Sequence, residues 1–297
     1  VGSTLNLGAA GTGVMMSGDG NVFLNGLVAQ GSSGSNSFYR ANLSQIQGTT
    51  ILTNWNNNFI SNFRLDSGYV RLSHGGQMGL DPSPTQLRGP GGTWDLRTDM
   101  PGSFSGVKMS MVDGSINVMA DRAVGGNAIG TQVQDAVTGM ITYPSSSGMI
   151  TMGATTFTAS NRTLTLTGRD GYGATFAGLP TVSTGWGSGI APGTAGTVLG
   201  TLTGGNLTLT NNSNGLLVAD GALLLGGDGT SRAITVSGNG DTLMTGYVLN
   251  LGNVGWLAKS GQGTLVMNGA NTGYLSTSSI LGGLDVTAGT VLVTQGG

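Results

Sequence analysis

Apolar side chains recur at every second position in short stretches along this chain. STLNL (residues 3–7), VKMSMV (107–112), SINVMA (115–120), GMITM (148–152), RTLTLTG (162–168), GNLTLT (205–210), AITVSG (233–238), GTLVM (263–267) and GTVLV (289–293) all show the pattern. Leu164 and Leu166, Leu207 and Leu209, and Val291 and Val293 mark one side; Thr, Ser or Asn usually marks the other. Period two is the signature of a half-buried strand, with one face toward a core and one toward water. Between the stretches stand SGDGN (17–21), NNSNG (211–215), LGGDGTS (225–231) and SGNGDT (237–242), residues that turn a chain through positive φ or side-chain turns. The pattern predicts an all-β protein of many short strands.

Such spacing first suggests a sandwich or a barrel. A solenoid accounts better for a pattern that continues with little change and shows no set of long core strands. With rungs of roughly 20–25 residues, the chain would hold about a dozen, stacked as a rod with its core along the axis. The N-terminal half is less regular. NWNNNFISNF (54–63) and GQMGLDPSPTQLRGPGGTWDL (76–96) are rich in Asn, aromatics and Pro, and Pro82, Pro84 and Pro90 do not suit central strands. A loop or insertion is expected there, with a soft boundary near residues 100–105.

Composition strengthens the β reading. Glycine numbers 57, charged residues make up 8 %, glutamate is absent, and Lys108 and Lys259 are the only lysines. The straight-chain helix formers are therefore almost missing. A hydrophobic share of 38 % with strand alternation argues for order over the disorder that Gly, Ser and Asn can also signal. The net charge of −2, with scattered arginines, gives no footprint for nucleic acid. No apolar run approaches the ~18 residues of a membrane helix, and no secretory signal opens the chain. The chain is expected to be a processed product or a section of a longer one. Without cysteine, a disulfide framework is excluded, and stability rests on core and hydrogen bonds.

Residues 250–293 carry a more specific pattern. Leu257, Lys259, Gly261, Gly263, Thr264, Leu265, Met267, Gly269, Asn271 and, one place late, Tyr274 follow Leu-x-Lys-x-Gly-x-Gly-Thr-Leu-x-Leu-x-Gly-x-Asn-x-Tyr. A second strand returns as Gly289, Thr290, Val291 and Val293. The run resembles the autotransporter-associated β-strand repeat of bacterial surface passenger domains. The resemblance implies a right-handed parallel β-helix, exported and displayed at a bacterial outer surface. It covers about 45 residues, is looser over 168–227, and is mainly compositional over 1–160. Only one clear repeat occurs, and neither a membrane barrel nor a signal peptide accompanies it.

Candidate chemistry is sparse. A phosphate loop needs Gly-Lys-Ser/Thr, yet Val107 and Ala258 precede the two lysines. After Gly261-x-Gly263, Val266 stands where a dinucleotide fingerprint wants glycine. GGDGTSRAI (226–234) approaches a calcium-roll repeat but has Ser231 in place of the aspartate, without a tandem copy. Asp19, Asp228 and Asp241 are weak calcium candidates, better read as turn formers because calcium wants six to eight oxygens. One histidine and no cysteine argue against a transition-metal site. Asp95 and Asp99, with Arg97 between and Asp113 and Asp121 beyond, form the densest acidic neighbourhood. They are candidates for two-carboxylate glycosidic cleavage, though turn or loop positions are preferred for them. His74, in SHGG, lacks a nucleophile motif and reads as a surface histidine. Trp55, Trp94, Trp186 and Trp256, with the tyrosines, offer sugar-stacking rings or core filling.

The expectation is a structural, non-enzymatic surface protein without catalytic residues or cofactor, whose main partner is another copy of itself. An adhesin binding surface glycans through loops around 54–100 is the alternative, and a polysaccharide-cleaving β-helix enzyme a further one.

Overall fold

A computed structural model of the chain describes residues 3–6, 13–18, 20–29, 36–41, 48–53, 61–65, 67–78, 91–98, 104–105, 107, 109–111, 115–122, 133–134, 141–142, 148–153, 155–158, 161–168, 171–182, 195–202, 205–225, 231–246, 248–250, 255–268 and 281–294. Every alternating stretch quoted above carries a strand. RTLTLTG becomes Arg162–Gly168, for example, and AITVS of AITVSG lies within Arg232–Ser237. Among the described residues Gly75–Met78 forms a short 3-10 turn, and no helix there is long and apolar enough to cross a membrane.

The strands form parallel sheets whose neighbours are successive passes of one winding chain. The longest sheet has ten strands, from Val22–Leu24 at one edge to Leu281–Val286 at the other. A second sheet stacks six, from Met149–Met152 to Thr290–Val293. A third runs in parallel from Met109–Met111 to Val248–Asn250. The chain visits third, long and second sheets in turn. Ala222–Leu225, Arg232–Ser237 and Thr242–Met244 make one circuit, and Val248–Asn250, Gly255–Lys259 and Thr264–Met267 the next. This is a three-sided β-solenoid.

Among the described residues before 100 the winding follows the same order. Gly13–Ser17, Asn36–Ala41 and Ser61–Leu65 form a parallel sheet of their own, and each leads into a strand of the long sheet. The long sheet then runs on without a break, Thr93–Arg97 pairing with Ile116–Asp121.

The expected dozen rungs are too many; the described solenoid makes about six three-sided turns, the number of strands in its second sheet, while the long sheet extends over ten passes. Residue count converts to turns only if every turn is lean, and two are not. Tyr69 pairs with Thr93 and Thr93 with Asn117, but Ile116 pairs with Leu164 and Arg162 with Leu207, almost twice the step. The longer circuits hold antiparallel excursions. One is the pair Val133–Gln134 with Ile141–Thr142; in the other, Leu179–Val182 folds back on Ala195–Leu202.

Parallel register places like residues over like, and the core is a set of columns along the axis. Leu207, Ile234 and Leu257 form one; Ile116, Leu164, Leu209 and Val236 form another; Val70, Trp94, Val118 and Leu166 form a third. All of them are buried. Burying each such aliphatic side chain contributes roughly 1.5–3 kcal/mol, which lets a rung of three short strands hold together once it lies on its neighbours.

Candidate functional site

The repeat residues of 256–268 form one corner of the solenoid, where the chain leaves the long sheet for the second. Leu257, Leu265 and Met267 are buried in the core. Gly261 makes the turn at φ +75°, and Gly238 and Gly289 do the same one turn before and after, at +97° and +77°. Positive φ is one reason for glycine here; close stacking is the other. A Cβ on Gly261 would lie 2.4 Å from the Gly238 carbonyl oxygen, and one on Gly263 would lie 2.0 Å from that of Gly240. The Gly263 N–H donates to the Gly238 carbonyl, and the Gly240 N–H to that of Asn211. The Gly-x-Gly spacing is therefore a backbone stack without room for side chains, not a cradle open to a ligand. Gly269 and Asn271 lie outside the described residues.

Asn211, Ser213 and Lys259 are polar side chains buried at this corner. Asn211 is fully buried; its Nδ2 donates to the carbonyls of Gly215 and Asp241, and its Oδ1 accepts the Ser213 N–H. Lys259 stands in a core column between Val236 and Val286, and its Nζ donates to the Ser260 and Gly261 carbonyls at 2.8 Å each. Burial pushes the Lys259 pKa below the ordinary lysine value, and the attraction of Asp241 works against that shift.

The calcium candidates meet in no described cluster. Asp241 uses Oδ1 to accept the Thr264 N–H of the next turn at 2.7 Å, the part of a turn former. Asp19 and Asp228 lie outside the described residues. Among the described residues no group of three or more His, Cys, Asp or Glu is placed to hold a metal ion. Asparagines supply similar bridges where the chain begins a long-sheet strand. Oδ1 of Asn21 accepts from Thr49, that of Asn161 from Asn206, and that of Asn206 from Ala233.

Asp95 departs from its expected turn or loop position. It lies inside the strand Thr93–Arg97, between the inward residues Trp94 and Leu96, and so on the outer face of the long sheet. Register sets Arg71 beside Asp95 on one neighbouring strand and Asp121 beside Arg97 on the other. Arg71 Nε donates to one Asp95 oxygen at 2.6 Å and Arg97 Nε to the other at 2.8 Å, while Arg97 Nη1 lies 3.9 Å from Asp121. The Asp95 hydrogen bond, with the nearby acids, holds Arg97 above the ordinary arginine value against the opposing effect of burial. Both carboxylate oxygens are engaged by guanidinium groups, so Asp95 is placed to bind arginine. Asp99 and Asp113 lie outside the described residues. His74 is half-buried in a turn organised by Gln77, whose Oε1 accepts the N–H groups of Ser73 and His74.

The aromatic candidates divide by the parity of their strands. Trp94 is an inward residue with 2 % exposure, so its ring fills the core and offers no face to a sugar. Trp256 points outward and is 45 % exposed, flanked in register by Ala233 and Gly283. A Cβ on Gly283 would meet its ring at 2.4 Å, so the indole lies across that glycine. Trp55 and Trp186 lie outside the described residues.

Sequence reasoning missed the last turn. Leu284, Val286 and Val293 continue the columns of Leu257, Lys259 and Met267. The earlier residues are 1 %, 1 % and 3 % exposed; the later three are 48 %, 45 % and 52 % exposed. Alternation identified Val293 as inward, but only the stack shows that nothing in the described structure covers the three. Compared with protein-family models, with curated proteins and with solved structures, the chain gives no match.

Proposed function

We propose that the chain is a structural, non-enzymatic rod of the autotransporter-associated repeat kind. Its winding is right-handed, the hand that parallel crossovers strongly favour. It works extracellularly or at a bacterial outer surface, where it displays or assembles by stacking turn on turn. The observation that carries this reading is the open last turn. Leu284 and Val286 in Leu281–Val286, an edge of the long sheet, and Val293 in Thr290–Val293, an edge of the second, end three columns. A sheet edge whose columns are uncovered among the described residues accepts another turn, from the same chain or a second copy. The engagement of Asp95 by two arginines favours this reading over carboxylate catalysis.

Electron microscopy and fibre diffraction test the assembly. Filaments with a ~4.8 Å repeat along their axis are expected, and Leu284→Asp should prevent them. Short single rods at every protein concentration would refute self-assembly.

A second reading, glycan adhesion, draws on Trp256. An indole laid flat on a sheet with one face to water suits the apolar face of a sugar ring. A glycan array on which Trp256→Ala binds as well as the unaltered protein would remove it.

A further inference from the structure

Lys259 is out of keeping with its position. The column before it reads Ile116, Leu164, Leu209 and Val236, and Val286 follows. Lysine is almost never fully buried unless its charge is compensated, yet Lys259 is buried as completely as the leucines. Its aliphatic stem continues the column while the ammonium reaches the corner between the last two turns. There it meets oxygens from both: Ser260 and Gly261 of its own turn at 2.8 Å, and Ala288 of the next at 3.5 Å. An ammonium carries three donors, and three backbone carbonyls face it. Gly289 closes the corner so tightly that a Cβ there would lie 2.8 Å from Nζ. The next turn is also tied on through backbone, with the Thr287 N–H donating to the Lys259 carbonyl at 2.9 Å.

Converging backbone carbonyls are how proteins replace the hydration of a monovalent cation. We propose that this corner is a monovalent-cation site which the chain fills with its own ammonium, and that the seated ammonium ties the last turn to the rod. The site is distinct from the stacking surface at the open end. Stacking can fail while the tie holds, and the tie is read on single molecules.

Amide hydrogen exchange on the full chain at non-assembling concentration tests it. The reporter is the Thr287 amide, and the Gly240 amide, bonded to Asn211 farther from the end, is the reference. Lys259→Met keeps the stem and removes the charge. It should speed exchange at Thr287 about ten- to a hundredfold, the worth of a hydrogen bond to a charged group, and leave Gly240 unchanged. Lys259→Ala empties the corner. It should lose the same protection and regain it in ammonium or potassium chloride, but not in tetramethylammonium chloride at equal ionic strength. Exchange at Thr287 in Lys259→Met equal to that of the unaltered protein would overturn the tie. Equal acceleration at Thr287 and Gly240 would also overturn it, because the lysine would then serve only general packing. An alanine variant that neither ammonium nor potassium restores would overturn the cation site.

Discussion

The last turn of the solenoid and the turn before it place apolar residues in matching columns, and only one of them has a buried core. Leu257 and Met267 are covered by Leu284 and Val293, which in the described structure are covered by nothing. The two turns share a long-sheet strand, a second-sheet strand and the same glycine at the corner between them, Gly261 in one and Gly289 in the other, both at positive φ. The difference teaches that a rung of this rod has no core of its own. It borrows one from its neighbours, as expected where stability is a sum of nearest-neighbour terms. A side chain's worth therefore depends on its distance from an end as much as on its type.

Substitutions that pit a stacked position against an unstacked one sharpen this comparison. Trp94→Ala should show the largest effect, destabilising by about 3–5 kcal/mol in chemical denaturation, while Trp256→Ala on the outer face should stay within about 0.5 kcal/mol. Similar losses for the two tryptophans would contradict the column assignment. Next, Leu257→Ala should cost about 2–5 kcal/mol. Leu284→Ala should cost less than about 1.5 kcal/mol in the single rod, since little of its transfer energy is realised, and should show its full effect only once rods stack. An equal cost in dilute monomer would mean that the last turn is already covered.

The corner glycines give a third pair. Gly18 and Gly261 both have positive φ, but a Cβ on Gly18 would meet nothing within 4 Å, whereas one on Gly261 would strike the Gly238 backbone. Gly18→Ala should cost about 1–2 kcal/mol of left-handed strain, and Gly261→Ala measurably more. Thermal unfolding of the two variants checks this, and the reverse order would deny that the corners stack. The ion network gives the last test. Asp95→Ala strips two half-exposed guanidinium groups of their partner and should cost about 1–3 kcal/mol, less at raised salt for the more exposed Arg71. A variant as stable as the unaltered protein would make the network ornamental.

How much was legible beforehand differs from residue to residue. The alternation of RTLTLTG and GTLVM marked strands correctly, since burying one face of a strand leaves a period-two trace that needs no knowledge of the partner strand. Gly261 and Gly263 were legible as turn residues, but their tight stacking was not, because it depends on Gly238 and Gly240 a full turn away. The burial of Lys259 contradicts its usual preference, and only the carbonyls of Ser260, Gly261 and Ala288 account for it. The sequence favoured a turn or loop for Asp95; the strand around it emerges from pairing with Tyr69–Leu72 and Ile116–Asp121.

By itself, then, the sequence determined the strands of the alternating stretches and the inward or outward side of the residues in them. Side-chain parity and turn chemistry are local and are written in neighbouring residues. The tertiary structure decided the rest: how many turns the chain makes, which carboxylate meets which arginine, where a lysine is hidden, and which of two like turns is left open. Each depends on residues some twenty to fifty positions away, brought alongside by a register that insertions can lengthen without leaving a mark on the local pattern.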